Sequence, residues 1–469
     1  MRLCNTILVC VMILGSHGLL KSQVAGDSTF LSFDGFLELV SLYHPVAAVA
    51  ELSLNRGEAQ LLGARGGFDP VARIDFDQKY FDDDKYYRNL DGGVSIPTVM
   101  GLSFEAGYER ASGDYIAPES TTPDAGLVYA GATLSLGQGL LMDKRRAQLR
   151  TAEIYRESTD AERRNLLNEL LYDAGKTYWD WYFAYLQLEV YEDAYDAALR
   201  RLEAVSASAS GGERAAVDTL EAGIQVQNRE LALRNARMQY LNARTSLGAY
   251  FWSDEGQPLM FQVDVVPDRT SRETEFLDGS ALANIDTVVA MHPELLQAQY
   301  EIEQLEVERR LKKENIKPVL DLKYNAISEP LNGNPFSEYS INNYKWGMTF
   351  RMPLLLRKER GELQMTDIKI SESAFKLDNR RMMITTKAQQ ALTTRVETLN
   401  QIELYSGTVR DYGDLLEAER TMFEAGESSL FMVNARELGY INSQVQLIKL
   451  ENQLRKAELE VQYSLGLLN

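Results

Sequence analysis

The chain carries one plan twice, and this duplication constrains its fold more than any single residue does. His44-Pro45 opens a stretch that ends at Asp69-Pro70; His292-Pro293 opens another that ends at Lys317-Pro318, and the two spacings are identical. An alternating segment follows each second proline, with Ala72, Ile74 and Phe76 matching Leu320, Leu322 and Tyr324. Further on, Gly212-Glu213 recurs as Gly426-Glu427, each opening a long helical run. The repeated order is helix, strands, long helix, turn and return helix.

Proline placement sets the boundaries. None occurs between Pro123 and Pro258 or after Pro353, and since interior prolines break helices, both gaps leave room for uninterrupted ones. Residues 140–207 and 356–424 are rich in Ala, Leu, Glu, Arg and Gln, and each would run roughly 100 Å at about 1.5 Å per residue. That exceeds an ordinary globular helix and points to a coiled coil or a tube. Gly211-Gly212 and Gly426 supply the terminators, because glycine takes the left-handed conformation past a helix end without strain. Return helices are then predicted from about 214 to 247 and from about 429 to 465.

Heptads in the return helices point to the architecture. In the first, Val217, Ile224, Leu231 and Met238 form one series; Val226, Leu233, Tyr240 and Leu247 form another. In the second the series are Phe431, Leu438, Val445 and Val433, Tyr440, Leu447, Leu454, Val461. An offset of two positions is roughly 200° of rotation, so the seams lie on nearly opposite sides. A two-stranded coiled coil needs only one seam. Two opposed seams call for neighbours on both flanks, as in the staves of a barrel.

The alternating segments carry the other half of the reading. Ala72, Ile74, Phe76 and Tyr80 oppose Arg73, Asp75, Asp77 and Lys79; Leu320, Leu322, Tyr324 and Ala326 oppose Asp321, Lys323 and Asn325. Trp346, Met348, Phe350 and Met352 oppose Lys345, Thr349 and Arg351, while Ala130, Ala132, Leu134 and Leu136 oppose Thr133 and Ser135. One apolar and one charged face fit the wall of a membrane barrel with a wet lumen. Four strands cannot close such a barrel, whose smallest bacterial form needs about eight, so one copy supplies a sector. Val94 to Glu109 reads as an additional strand-like segment that extends an extracellular hairpin or folds inward. Tyr86 and Tyr87 read as interfacial aromatics, and Asp82-Asp83-Asp84 as loop surface.

The N-terminus has the pattern of a secretory signal over residues 1–26: Arg2, an apolar run from Ile7 to Leu14, then Ser22, Ala25 and Gly26. Its removal takes Arg2 and Lys21 and no acid, so the formal net charge of -19 becomes -21. Both cysteines, Cys4 and Cys10, lie inside it, which leaves a mature chain without disulfides or a thiolate zinc site. The acidity disfavours nucleic acid as a partner. The remaining plan is a first repeat at 27–250 (strands 70–137, helical hairpin 139–248), a connection at 251–279, and a second repeat at 280–469 (strands 318–353, hairpin 356–466).

These features resemble the TolC-like outer-membrane efflux protein family across essentially the whole mature chain. The most specific residues are Met352-Pro353-Leu354-Leu355-Leu356-Arg357-Lys358-Glu359-Arg360, similar to the family's strand-to-helix junction. Gln138-Gly139-Leu140-Leu141-Met142-Asp143-Lys144-Arg145-Arg146 is the counterpart in the first repeat. Both repeats have His-Pro where the family usually starts its first helix with Asn-Pro.

The resemblance implies a mainly α protein with membrane β: a homotrimer whose twelve strands form an outer-membrane barrel continued by a periplasmic helical barrel. It implies a passive exit duct of a tripartite efflux or secretion system, embedded in outer-membrane lipid. The duct would dock onto a periplasmic adaptor and an inner-membrane transporter through tip turns at Gly212 and Gly426. The lipid-facing residues would be Ile74, Phe76, Leu320, Leu322, Tyr324, Trp346 and Phe350. Family ducts often narrow at carboxylates of the second repeat, where this chain has Met432 and Ala435. The equivalent first-repeat positions are Asp218 and Glu221, adjacent on one helix face; with Glu427 they are the candidate acidic ring.

No catalytic constellation is evident. His44 and His292 occupy matched positions, which marks them as structural, and no metal cluster, phosphate loop or cofactor motif is expected. Two other classes share some of these features. A periplasmic adaptor also has long antiparallel helices, but normally one hairpin rather than two; a pore-less envelope coiled coil would not need the alternating strands.

Overall fold

A computed structural model describes residues 29–212, 214–260, 265–273, 285–330 and 339–468. The expected signal segment and Glu213 lie outside them. Strand β1 (Thr29–Leu31) leads into α1 (Phe33–Tyr43) and α2 (Pro45–Arg65). Four strands follow: β2 (Val71–Phe81), β3 (Asp84–Pro97), β4 (Leu102–Ser112) and β5 (Leu127–Ser135). The first helical hairpin is α3 (Lys144–Ser210) with α4 (Ala216–Gly248). In the connection, β6 (Val265–Pro267) pairs parallel with β1. The second repeat comprises α5 (Ile285–Ala290), α6 (Pro293–Glu314), β7 (Val319–Ser328), β8 (Tyr344–Arg351), α7 (Arg357–Glu424) and α8 (Leu430–Ser464).

The duplicated, mainly helical plan is the one the sequence predicts. His44 and His292 are the N-caps of α2 and α6. In each, the ring Nδ1 accepts a hydrogen bond from the N–H two residues on, Val46 and Glu294, both at 3.2 Å. Proline then fills the first helical position, where its missing N–H costs nothing. At 67 and 68 residues, α3 and α7 each extend about 100 Å. Asp143 caps α3 by accepting from the Arg146 N–H at 2.8 Å.

Side by side, the helices make four staves in two tiers. α3 packs against α2 and α6 along its first half and against α4 and α8 along its second; α7 packs on α6 and then α8. The order across the upper tier is therefore α2–α3–α6–α7, and across the lower tier α4–α3–α8–α7. Bridges follow the same order, with Arg56–Glu162 joining α2 to α3 and Arg309–Asp367 joining α6 to α7. At the waist, Phe36, Tyr178, Trp181, Tyr182 and Phe183 form a fully buried aromatic core where α1 crosses α3. Burial there drives the Tyr178 hydroxyl's pKa upward, and the hydroxyl donates to the Leu31 carbonyl at 2.8 Å. Among the described residues no single helix is long and apolar enough to cross a bilayer.

The sheet departs from expectation. It has six strands rather than four, in the order β2-β3-β4-β5-β7-β8, every neighbouring pair antiparallel. Residues 94–109 are neither an extracellular extension nor an inward fold; they are the end of β3, a tight turn and most of β4. In that turn, the Thr98 hydroxyl donates to the Leu102 carbonyl at 2.6 Å. The alternation is hard to see in the sequence because Gly92, Gly93 and Gly107 blank out positions on both faces. Six crossings keep the up-down parity that a single added strand would break.

Candidate pore and tip

Antiparallel register places directly paired residues on one face, so the ladders assign every strand position. Ile74 pairs with Gly92 and Phe76 with Leu90; Tyr324 pairs with Trp346, Leu322 with Met348 and Leu320 with Phe350. Carried across β4 and β5, the same face includes Val94, Ile96, Phe104, Tyr108, Ala130 and Ala132. All seven residues predicted to face outward share this apolar face. Ile74, Phe76, Tyr324, Trp346 and Phe350 are exposed, and Leu320 and Leu322 half-buried.

The opposite face is polar and concave. Arg73 on β2 binds Asp91 on β3 at 3.0 Å, and Asp91 also accepts from the Tyr129 hydroxyl of β5 at 2.9 Å. Glu105 on β4 pairs with Lys323 and accepts from Asn325 at 2.8 Å, reaching past β5 to β7. Gly131 of β5, between Glu105 and Asn325, makes that crossing possible: a Cβ there would collide with Asn325. At the end of the sheet away from the helices, Asp82 and Asp83 form the β2–β3 turn with φ of 56° and 61°. Beside them Tyr86 contacts Phe81 and Tyr115, the ring centroids 5.9 and 4.6 Å away.

The helical hairpins end at two tips. Gly212 and Gly426 both sit at φ +80°, a conformation that would strain any side chain. The tips touch: the Arg214 guanidinium lies 3.9 Å from the Phe423 ring centroid, and Val205, Ala222 and Leu430 form a small shared core. Ser429 caps α8 by accepting from the Met432 N–H at 3.4 Å.

The three candidate acids have different surroundings. Asp218 is half-buried in the first turn of α4 and makes no ion pair among the described residues. Glu427 is exposed on the other tip turn. Glu221 accepts from the Asn434 side-chain amide at 3.0 Å, which ties it to α8 and sets it apart from Asp218.

That amide belongs to a cluster the sequence reading missed. Glu437, whose side chain is 5% exposed, receives a bidentate pair from Arg201 and lies 3.8 Å from Arg229 and 3.5 Å from Arg420. Arg201 also donates to Asn434 at 2.9 Å. One carboxylate thus serves guanidinium groups from α3, α4 and α7 while standing on α8. Burial pulls the Arg229 pKa below its ordinary value, against the opposing pull of Glu437. The available signal was Asn434 and Glu437 on the same helix face as the buried Val433 and Ile441; their partners are distant in sequence.

A curled sheet of six strands, its apolar face bare and its polar face concave, stands above four staves built from a duplicated unit. The family model for outer membrane efflux proteins matches residues 99–251 and 284–467. The chain belongs to the outer membrane efflux protein family. No curated protein sequence matches it. Among solved structures, the Campylobacter jejuni CmeC outer membrane channel is similar at 13% identity and a TM-score of 0.65, covering 99% of this chain and 94% of that one. The Vibrio cholerae outer membrane protein VceC aligns at 12% identity with a TM-score of 0.63, covering 92% and 96%. The open-state Neisseria gonorrhoeae MtrE outer membrane channel aligns at 12% with a TM-score of 0.64, covering 93% and 89%. At such identity the likeness establishes the fold, a β-barrel continued by a helical barrel. This efflux protein shares it from one end to the other.

Proposed function

We propose that three copies of this chain form a passive exit duct through the outer membrane, continued as a periplasmic tunnel that docks by its tip onto an adaptor and an inner-membrane pump. The observation that carries this is the incompleteness of one copy on both flanks. The outer strands β2 and β8 are exposed along their whole length, and unpaired edges of that kind need a partner. Below them, Val217, Ile224, Leu231 and Met238 of α4 are 48% to 65% exposed, whereas Val226 and Leu247 of its other seam are buried. On the far flank, Phe375, Met382 and Leu404 of α7 are equally bare. One copy's α7 covers the next copy's α2 with its upper half, where Phe375 and Met382 stand, and the next copy's α4 with its lower half, where Leu404 stands, as its β8 pairs with the next copy's β2.

In this reading Ile74, Phe76, Leu320, Leu322, Tyr324, Trp346 and Phe350 meet lipid, and Gly212 and Gly426 mark the docking turns. Asp218 leads the acidic ring, threefold and cation-attracting; Glu221 supports it from the Asn434 contact, and Glu427 lies on the neighbouring turn. Membrane fractionation and planar-bilayer recording test the duct. A heat-resistant trimer in the outer membrane that conducts ions is expected, and a soluble, non-conducting monomer would end the proposal. Cation selectivity should fall in the Asp218→Asn, Glu221→Gln double variant. Unchanged selectivity and conductance would remove the ring.

A further inference from the structure

We infer that the wall closed by three copies has eighteen strands, with β3 and β4 as full wall strands that open the barrel to the width of the helical tunnel beneath it. This rests on the trimeric duct proposed above and deepens it.

Three observations make β3 and β4 part of the wall. First, the hydrogen-bond ladder is continuous. β3 is paired with β2 from Val71–Ser95 to Phe81–Asp84, and β4 is paired with β3 on one side and β5 on the other. Neither strand can leave the sheet without breaking two ladders. Second, the faces are in phase. Val94, Ile96 and Phe104 are exposed on the apolar face, while Asp91 and Glu105 are held on the concave face by Arg73 and by Lys323 with Asn325. Third, the crossing is complete. The strands have 14 and 11 residues, and about 9–11 suffice to span. Their Thr98–Gly101 turn reaches the start of α3, where a Cβ added to Gly101 would stand 3.2 Å from the Arg146 guanidinium.

Arc lengths are compatible with six strands. Strands about 4.8 Å apart, tilted about 40°, each cover about 6.3 Å of circumference, so six cover about 38 Å and four about 25 Å. The four helices below, α2, α3, α6 and α7, cover about 32–40 Å at 8–10 Å each. Six strands therefore meet the helical tier without a shoulder. Closed threefold, the backbone diameter is about 36 Å, against about 24 Å for twelve strands. The inserted strands also thin the lumen side, since Gly93 and Gly107 face it with only the Tyr129 ring across them. In the single copy the sheet curls tightly enough for Lys345 of β8 to stand 3.7 Å from Glu109 of β4. Closure with two more copies opens the arc and separates that pair.

Cryo-electron microscopy of the full-length trimer in lipid nanodiscs is the direct test. Eighteen strands are expected; a twelve-stranded ring with β3 and β4 outside it would overturn the inference and leave the duct standing. A second measurement needs no density. The described residues contain no cysteine, so single cysteines can carry a bimane fluorophore. At Leu90→Cys and Phe104→Cys it should be quenched at least twofold by lipids brominated on their acyl chains; at Ser95→Cys and Ala111→Cys it should not. A conducting trimer whose Leu90→Cys and Phe104→Cys labels resist quenching refutes the wide wall alone. Failure to find any outer-membrane trimer refutes the duct and the wall together.

Discussion

The two long helices are copies of one element and nearly equal in length, yet they live in different environments. Of the 67 residues of α3, twenty are buried, among them Trp181 and Tyr182; of the 68 of α7, seven are, and most of those are small or polar. The cause is place in the stave order. α3 has neighbours on both sides, whereas α7 stands on a flank with Phe375, Met382 and Leu404 facing outward. Of the two long helices, α3 thus supplies the private core and α7 a contact surface. Duplication made the shapes alike and left their roles to diverge.

Substitutions can break this contrast. Trp181→Ala should cost about 3–5 kcal/mol, as for other large core aromatics. Phe375→Ala should change the stability of a single copy by no more than about 0.5 kcal/mol and instead lower the temperature at which the trimer separates. Urea unfolding of the refolded monomer beside heat-resistance of the trimer on gels distinguishes the two; equal losses in both assays would mean that α7 has a core role. Glu437→Ala probes the point where the repeats meet. It strands three guanidinium groups, and removal of one partner from a buried ionic cluster costs about 3–5 kcal/mol. Indistinguishable urea midpoints for the variant and the parent would show that the cluster is solvated.

In the sheet, Phe76→Arg should cost about 2–4 kcal/mol if that side chain meets the bilayer midplane. Wild-type assembly yield in lipid vesicles would reverse the inside-outside assignment.

The matched histidines give the gentlest test. Burial lowers the pKa of both; His292 falls to about 4 from 6.5. Its neutral ring caps α6, so its stabilising contribution is whole above pH 6.5 and declines as pH falls toward 4, where the loss reaches about 3 kcal/mol. His44 is half-buried beside Tyr250 and Trp252, with ring centroids 5.6 and 6.0 Å away, and should show a smaller loss. Unfolding midpoints measured from pH 7 to pH 4 check this: His292→Asn, which keeps a cap, should flatten the profile more than His44→Asn.

Much of the molecule was legible in the chain because its signals are local. The absence of proline and the placement of Gly212 and Gly426 mark the long helices and their tips, and the alternation of Ile74, Phe76, Trp346 and Phe350 gives each strand its face. The heptads gave α4 two seams, and one of them, Val217 to Met238, is bare and open to a neighbour. The strand count was not legible. Glycines at 92, 93 and 107 carry no side chain to alternate, and pairing partners rather than periodicity decide whether such a segment joins a sheet. Nor was the cluster of Glu437 and its three arginines, whose four members come from four helices more than two hundred residues apart at the extremes.

Sequence alone determined the repeated unit, the helix lengths, the caps and the polarity of each face, because all of these depend on neighbours within a few residues. Tertiary structure decided which stave is enclosed, how many strands share the sheet and which charges meet. Those outcomes depend on distances across the fold, and no spacing along the chain encodes them.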